Sequence, residues 1–375
     1  MLMRQFYPGI TLFKLAGALF VLVAHALLIP SMAGMELSPL ASFLMLAGRI
    51  VVPCFYVVSG FLLYKGWSHS ANPVAYVKRY IVRIAAFYAV FCLLFAFEFI
   101  VPALARGGIG ISNLFLQAKI MFMAVFVNGP MIQLWFIPPL LFGAAAAYWM
   151  LNKLPVRKVL ILTASAYVVI QLLSGSFLGM TAALPDTAPL HYMELGLTRY
   201  LGFGLTFVVM GALIAKYEER FLRLRIRRAI VLSIAFTITE TVLLVSFADW
   251  TDAYKLTFGM IPNTALLFYG VLRVRSSTMT AHHRFIHLFS IVAFVGHIPF
   301  MRLNGLILGW GSSELDLWQQ VLQTALTIAQ CAALSVFIHR KRSAVTASSE
   351  GMASGKRATI TGIKREKHPA AETRT

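Results

Sequence analysis

The sequence predicts an all-α, polytopic membrane helix bundle, and three properties of the chain point to that class. Of its 375 residues, 59% are hydrophobic and only 13% are charged, and the mean hydropathy is +0.77. A soluble domain is typically about one quarter charged. The apolar residues also fall into runs of about 20, the length that crosses the ~30 Å hydrocarbon core as a helix.

About ten such runs follow one another along the chain, and each predicts one membrane span. Their approximate limits are 10–30, 41–64, 79–101, 131–151, 157–175, 195–216, 229–247, 255–273, 284–303 and 315–338. A shorter apolar segment, 112–127, contains Gln117 and Lys119. We interpret it as an interfacial or re-entrant helix, with an eleventh span as the alternative.

The basic residues that give the chain its net charge of +19 are concentrated in alternate linkers and at the C-terminal end, whereas the intervening loops are acidic. The positive-inside rule then predicts that both termini are cytoplasmic. Topology accounts for the basic excess, so no nucleic-acid partner is expected. Residues 1–340 form the predicted membrane domain. The polar, aperiodic stretch 341–375 predicts a disordered basic tail that can contact anionic lipid.

The first span contains two ionisable side chains, Lys14 and His25. Ionisable groups within spans are costly and usually functional. Eleven helical positions at about 100° each place both on one face, roughly 16 Å apart along the axis. Lys14 fits a cation that snorkels to the interface. His25 fits an interhelical hydrogen bond, or a general base toward a hydroxyl.

The second and third predicted spans carry further polar positions. Ser59 and Gly60 either allow close helix packing or introduce a bend that lines a cavity. Arg79 and Arg83 are four residues apart and so share one helix face. Arg79 fits a positive-inside anchor, whereas Arg83 lies one turn deeper. Because guanidinium groups match phosphate oxygens, this pair predicts a phosphorylated cytoplasmic ligand.

Four more residues interrupt later spans. Trp135 fits an interfacial aromatic belt, and Arg199 fits a side chain that snorkels to the outer face. His297 and Arg302 lie in the ninth predicted span, where His297 is open to a structural interpretation. No phosphate-binding glycine loop, paired-carboxylate site or metal-ligand spacing is present in the sequence, so we expect no metal, ATPase or glycosidase site.

Six stretches, taken in order, resemble the acyltransferase-3 family of integral membrane acyltransferases. They are KLAGALFVLVAH, VPCFYVVSGFLL, KRYIVRI, QLWFIPPLL, TRYLGFGLTFVVMGALI and SIVAFVGHIPF. The sequence departs from the family pattern at several positions. Lys14 stands where arginine is usual, Thr11 where an acidic residue is common, and Ile298 separates His297 from Pro299. Arg79 and Arg83 are further apart than the family's basic pair.

The resemblance implies transfer of an acyl group, most often acetyl from acetyl-CoA, onto a hydroxyl of a glycan or lipid-linked sugar. It implies a multi-pass protein of the bacterial cytoplasmic (inner) membrane and, without a fused esterase-like domain, a stand-alone member. His25 is then the catalytic residue, as general base or transient acyl carrier. Lys14, Arg79 and Arg83 are expected to bind the acyl-CoA phosphates.

Ser59, Trp135 and Arg199 are expected to shape the site of such an enzyme. Two other interpretations stay open at this point. One is a transporter or flippase for a lipid-linked glycan or organic anion, with basic side chains along its pathway. The other is a structural or sensing membrane protein, in which the buried polar groups only specify packing. The acceptor, the acyl chain and the oligomeric state are not determined by the sequence.

Overall fold

A computed structural model describes residues 6–28, 48–98, 100–101, 105, 111–176, 194–247, 256–310 and 315–365. In these ranges the chain is helical and contains no strand, which confirms the all-α prediction for them. The chain divides into two compact units. Unit 1 is Met1–Gly17 with Met32–Thr280, and unit 2 is Ala18–Ser31 with Ala281–Thr375.

The α-helices of the described ranges are numbered in chain order. They are α1 (Pro8–Val23), α2 (Val51–Ser68), α3 (Pro73–Leu94), α4 (Ile111–Phe122), α5 (Ile137–Lys153), α6 (Val156–Ser174), α7 (Thr206–Lys216), α8 (Glu218–Leu222), α9 (Ile226–Phe247), α10 (Met260–Arg273), α11 (Ser277–Ala281), α12 (His283–Ile307) and α13 (Leu317–Arg365).

Three π-helical segments continue or precede these helices: π1 (Ala24–Leu28) after α1, π2 (Met123–Asn128) after α4, and π3 (Thr198–Leu205) before α7. Such wide turns are rare and often mark functional sites. In π3 the Leu201 carbonyl accepts from both the backbone N–H and the hydroxyl of Thr206, five residues later. This double acceptance stabilises the wide turn.

Unit 1 is organised around the contact between α2 and α7. Glycines lie on both sides of that contact, and a Cβ added to Gly60 would overlap the Val208 carbonyl oxygen. A Cβ on Gly211 would likewise overlap the Val57 carbonyl. The two backbones therefore touch, as expected where small residues drive helix association in lipid. This confirms the packing role that the sequence suggested for the segment at Gly60.

A second close backbone contact in unit 1 joins α5 to π3. A Cβ on Gly143 would overlap the carbonyl of Gly204, and one on Gly204 would overlap that of Pro139. Tyr56 of α2 donates a hydrogen bond to the Phe136 carbonyl at 3.0 Å. These contacts fix the start of α5 against π3, where two predicted site residues, Trp135 and Arg199, lie.

Unit 2 is formed by the end of α1 from Ala18, by π1, and by α12 and α13. Its apolar core includes Leu22, Ala293 and Cys331. A line of polar side chains, the amide seam, joins α12 to α13. In it Asn304 accepts from Gln330 Nε2 at 2.6 Å and donates to the hydroxyl of Thr327 at 3.4 Å, and Gln323 donates to the Met301 carbonyl at 3.1 Å.

Five helical stretches of the described chain are long and apolar enough to cross a membrane: Pro8–Leu28, Ile132–Lys153, Glu194–Lys216, His283–Ile307 and Leu317–Arg342. They correspond to the predicted first, fourth, sixth, ninth and tenth spans. The other five predicted spans overlap α2, α3, α6, α9 and α10, which do not meet that criterion. The ten-span count and the cytoplasmic termini therefore stay predictions.

Two further sequence predictions concern shorter segments. The predicted re-entrant segment 112–127 is helical, as the apolar helix Asn113–Asn128, and whether it crosses the membrane stays a prediction. Helix α13 continues to Arg365, beyond the predicted start of the tail at 341. Residues 366–375, like 29–30 and 41–47 of the first two predicted spans, lie outside the described residues. Disorder of the tail stays a prediction.

Candidate active site

His25 is the second residue of π1, within unit 2. Its side chain is half-buried and makes no hydrogen bond to any described residue. Its imidazole stacks on that of His297, with ring centroids 5.5 Å apart and planes 30° from parallel. The two histidines, which the sequence places 272 positions apart, therefore form a pair within one unit. The part of the chain that the structure describes leaves both nitrogens of His25 without a hydrogen-bond partner.

His297 lies on α12 and is fully buried, at 0% exposure. Its Nδ1 is 2.9 Å from the Ala293 carbonyl oxygen, one helical turn earlier. A carbonyl only accepts, so Nδ1 carries the proton and a neutral ring leaves Nε2 as an acceptor. No described residue donates to Nε2. An orphaned acceptor in a buried setting is costly, so this nitrogen is a candidate contact for a ligand group.

A pocket of about 550 Å³ lies further along α12, within unit 2. Ile298, the residue after His297, belongs to its lining, together with Met301, Arg302, Trp310 and Gln323. Arg302 is five positions beyond His297, about 7.5 Å along a helix axis. The pocket combines an aromatic ring, a guanidinium group and an amide with apolar walls. Arg302, which the sequence left without a role, therefore lies in the lining of a pocket.

A second cluster, the arginine cluster, forms in unit 1 around Arg199 of π3. Its guanidinium carbon lies 4.8 Å from the centre of the Trp135 ring. The same side chain donates to the Val127 carbonyl and, at 3.3 Å, to Asn128 Oδ1, both in π2. Cation–π contact and charge-assisted hydrogen bonds together hold this group in place. The structure thus brings two predicted site residues together.

Gly129 makes the arginine cluster possible. Its φ of +77° lies in the region that favours glycine, and an added Cβ would lie 2.7 Å from the Trp135 nitrogen. The chain therefore reverses direction directly after Asn128, so that Asn128 and Trp135 both face Arg199. Any residue other than glycine would strain this turn.

Ser59 lies inside unit 1 and bonds to its own helix. Its hydroxyl donates to the Phe55 carbonyl at 2.8 Å, the back-bonding expected of a serine in a membrane helix. Ser59 therefore stabilises its own turn of α2, and its function in a site stays a prediction.

The three residues predicted to bind acyl-CoA belong to unit 1. Arg79 and Arg83 are exposed on α3, one turn apart, and neither forms an ion pair with a described residue. Asn72 caps the start of that helix by accepting from the Ala75 N–H at 3.0 Å. Lys14 on α1 is half-buried. All three cations are thus left without a carboxylate in the described chain.

Sequence reasoning identified His25, His297, Trp135 and Arg199 one at a time, and missed how they combine. Neither the ring contact between the histidines nor the π2 acceptors of Arg199 has a signal in the sequence. Helical periodicity relates residues within a span and carries no information about which spans touch. The three π-segments were also missed, although two of them contain predicted site residues.

Comparison with known protein families now bears on this geometry. A family model described as an acyltransferase domain matches residues 7–339, nearly the whole chain. The chain belongs to the acyltransferase-3 family. The resemblance drawn from the sequence is confirmed, and this acyltransferase-3 protein is an enzyme that transfers acyl groups. The family match, together with the apolar helices, supports a membrane acyltransferase in general.

The acyltransferase-3 chain is also similar to an amino-acid racemase from Enterococcus faecalis. The two are 25% identical over 231 residues, which cover 58% of this chain and 29% of that protein. The chain therefore spans less than a third of the length of this curated relative. The racemase activity in the relative's name belongs to that protein. No solved structure matches the acyltransferase-3 chain.

Proposed function

We propose that the protein transfers an acyl group, most often acetyl, from acyl-CoA to a hydroxyl of a cell-surface glycan or lipid-linked sugar. The observation that carries this proposal is the stacked pair of His25 and His297. A half-buried imidazole without a hydrogen-bond partner in the described chain is suited to accept a proton from a hydroxyl. A general base of this kind contributes about 10²–10⁴-fold to a rate.

In the proposed reaction His25 removes the proton from the acceptor hydroxyl as its oxygen attacks the thioester carbonyl. A C–O ester bond forms and the C–S bond breaks. His25 then returns the proton to the departing CoA sulfur, so that the products are the ester and the CoA thiol. Atoms and charge balance without a metal or an oxidant.

His297 has a positioning role in this mechanism. Its Nδ1–H is held by the Ala293 carbonyl, so the ring cannot rotate without losing that bond. Its ring stacks on the His25 ring, with 5.5 Å between the two ring centroids. Its Nε2 can accept a hydrogen bond from the hydroxyl of the acyl-acceptor molecule or from water. A fixed partner keeps the catalytic imidazole in one orientation, on which the rate depends steeply.

A second route uses the same residues in two steps. A nitrogen of His25 attacks the thioester, CoA thiol departs, and the acyl-imidazole is then attacked by the acceptor hydroxyl. Radiolabelled acetyl-CoA supplied without acceptor distinguishes the routes. Label bound to the protein, and absent in His25→Ala, supports the acyl-histidine. Label that stays on CoA supports direct attack.

The donor is proposed to bind through the cations of unit 1. Lys14, Arg79 and Arg83 lack carboxylate partners among the described residues, and their predicted position is cytoplasmic, where acyl-CoA is made. Guanidinium groups bind phosphate with paired hydrogen bonds. The proposed location is the bacterial cytoplasmic membrane, with the acceptor on the outer side.

The acceptor is proposed to enter through the pocket of unit 2. Trp310 offers an aromatic face for a sugar ring, and Arg302 and Gln323 add polar side chains to the same lining. The pocket begins at Ile298, next to His297 in the chain. In this proposal the arginine cluster of Trp135 and Arg199 shapes the unit 1 side of the enzyme, and Ser59 supports α2.

The test is base-labile acetate on cell-surface glycan, compared between cells that make the native protein and cells that make His25→Ala at equal membrane abundance. His282→Ala is the matched control, because His282 is exposed at the start of α12. We expect ester acetate with the native protein and the control, and at least a hundredfold less with His25→Ala, following the range for general bases. Equal acetate in all three strains would refute the proposal.

Donor binding is tested on the purified protein in detergent. A ligand that binds only the folded state raises apparent stability, so acetyl-CoA should raise the unfolding temperature of the native protein. The Arg79→Gln, Arg83→Gln double variant should show this rise only at higher acetyl-CoA concentrations. Stabilisation of native protein and double variant at the same concentrations would place the donor elsewhere.

A further inference from the structure

An apolar groove of about 510 Å³ runs along the surface of unit 1, and the proposed reaction does not use it. Residues of α6 and α7 form its walls, among them Leu160, Ala164, Val209, Met210 and Leu213. These side chains carry no hydrogen-bonding atoms. In a membrane protein such a groove faces hydrocarbon and fits an alkyl chain.

The length of the groove matches one leaflet of a bilayer. Its lining extends from Thr206, the first residue of α7, to Tyr217, which directly follows α7. These positions are eleven steps apart, or about 16 Å at 1.5 Å per residue. The hydrocarbon core is about 30 Å thick, so the groove covers roughly half of it. Tyr217 lies at the end that leads into the basic segment after α7, which the positive-inside rule predicts to be cytoplasmic.

Arg220 of α8 lies at this same end and belongs to the groove lining. Its guanidinium is 5.8 Å from the centre of the Tyr217 ring, which orients the side chain beside the groove. Arg220 is exposed. A cation at the end of an apolar channel, at interface depth, is the arrangement that an anionic lipid headgroup requires.

The carboxylates nearest to Arg220 in the sequence are engaged with other groups. Glu218 forms an ion pair with Lys65 at 2.5 Å and accepts a hydrogen bond from the Tyr7 hydroxyl at 3.0 Å. Burial and the Glu218 charge raise the pKa of Tyr7, so this donor keeps its proton. No described carboxylate pairs with Arg220.

Glu219, the other neighbouring carboxylate, lies 3.6 Å from Arg223. Of the two arginines of this short segment, Arg223 therefore has an acidic partner among the described residues and Arg220 has none there. The difference cannot be read from the sequence, because both arginines lie within five residues of two glutamates. Within the described part of the chain, the Arg220 charge is therefore open to an anionic ligand.

From this geometry we infer that the groove binds one acyl chain of an anionic phospholipid of the cytoplasmic leaflet, with the lipid phosphate at Arg220. A guanidinium matches phosphate oxygens in geometry and charge, and the cytoplasmic leaflet is the anionic one. The site is independent of the proposed transfer reaction, since it needs neither histidine. A tightly held lipid at this position would anchor α8 to the end of α7.

In the test, phosphatidylglycerol is added to the purified protein in a neutral detergent. Native mass spectrometry then counts the lipid molecules that each protein retains. Phosphatidylcholine is the neutral comparison. Arg220→Gln removes the charge, and Arg223→Gln is the matched control on the same segment. Ala164→Phe fills the groove from an exposed position, and Leu160→Trp is a second groove-filling variant if the first is poorly folded.

We expect the native protein and Arg223→Gln to retain phosphatidylglycerol over phosphatidylcholine. Arg220→Gln should retain about fivefold less, the effect of one basic residue at a charged surface, and a groove-filling variant should also lose the lipid. Equal retention by Arg220→Gln and Arg223→Gln would overturn the inference, as would unchanged retention with a filled groove. Displacement of the lipid by soluble glycerol phosphate would mark a free phosphate site and would equally overturn it.

Discussion

Two helix interfaces of this protein use opposite chemistry. In unit 1, α2 and α7 meet through Gly60 and Gly211, with one backbone against the other. In unit 2, α12 and α13 meet through the amide seam around Asn304. Lipid gives little hydrophobic drive for helix association, so both solutions are expected: close van der Waals contact in one place and side-chain hydrogen bonds in the other.

The two interfaces differ in whether they leave polar side chains that a substrate could contact. The glycine contact contributes no side-chain polar atom and so leaves nothing to react. Helix α12, by contrast, presents His297 with an orphaned Nε2 and an exposed Arg302 beside a pocket. Unsatisfied polar groups within a membrane are costly, so the Nε2 of His297, which has no partner among the described residues, is consistent with the positioning role proposed for this histidine.

Breaking the glycine contact should have the largest effect. In Gly60→Leu the new side chain would overlap the Val208 carbonyl, and α2 and α7 must separate. We expect a loss of more than about 3 kcal/mol in the free energy of unfolding, seen as little monodisperse protein in size-exclusion chromatography. Gly270→Leu is the control, since a Cβ there meets nothing within 4 Å. Similar profiles for both variants would show that the contact is not tight.

Removing His297 should have the second-largest effect, and it should lower the acyl-transfer activity rather than the stability of the helix bundle. In His297→Ala the His25 ring loses its stacking partner, and a misplaced catalytic group costs about 100-fold in rate. The measurement is surface acetate at equal membrane abundance. His297→Gln, which retains a donor and an acceptor, should lose less. The control is His339→Ala, a histidine of α13 in contact with Phe285. Full activity in His297→Ala would make this histidine purely structural.

Weakening the arginine cluster should lower the stability of the protein, by less than breaking the glycine contact does. Lysine in place of Arg199 retains the charge but loses the planar fork that donates to Val127 and Asn128. We expect a loss of about 1.5 kcal/mol in the free energy of unfolding, the lower end of the range for a hydrogen bond to a charged group, because lysine retains one donor. The measurement is thermal unfolding in detergent. The exposed Arg157→Lys on α6 should leave stability unchanged. If the two variants match, Arg199 only snorkels to the interface, as its sequence position alone would allow.

Removing one member of the amide seam should have the smallest effect. Polar contacts within membranes average about 0.6 kcal/mol, so Asn304→Leu should lower stability by that order. Gln330→Leu should act through the same hydrogen bond. The losses of unfolding free energy in the two single variants should then sum to more than the loss in the double variant. Strict additivity would show that the bond contributes nothing to the α12–α13 interface.

Composition and periodicity were sufficient for the all-α class and for the five spans that are long and apolar enough to cross a membrane. These two properties depend on how each segment alone transfers into lipid, and therefore on local sequence. The family instead followed from the resemblance of six stretches taken in order. Local reasoning also identified His25, Lys14 and Arg199 as polar groups within predicted spans, and Trp135 as an aromatic residue at the interface.

Tertiary structure alone decided which of these residues meet. His25 stacks on His297, and Arg199 reaches Trp135 and π2. Among the described residues, Arg223 lies near a carboxylate and Arg220 does not. Each result depends on which helices touch and at what height, set by glycine contacts, wide π-turns and polar seams far apart in the chain. The sequence determined that this chain is a helical membrane acyltransferase, and packing decided where its reactive groups come together.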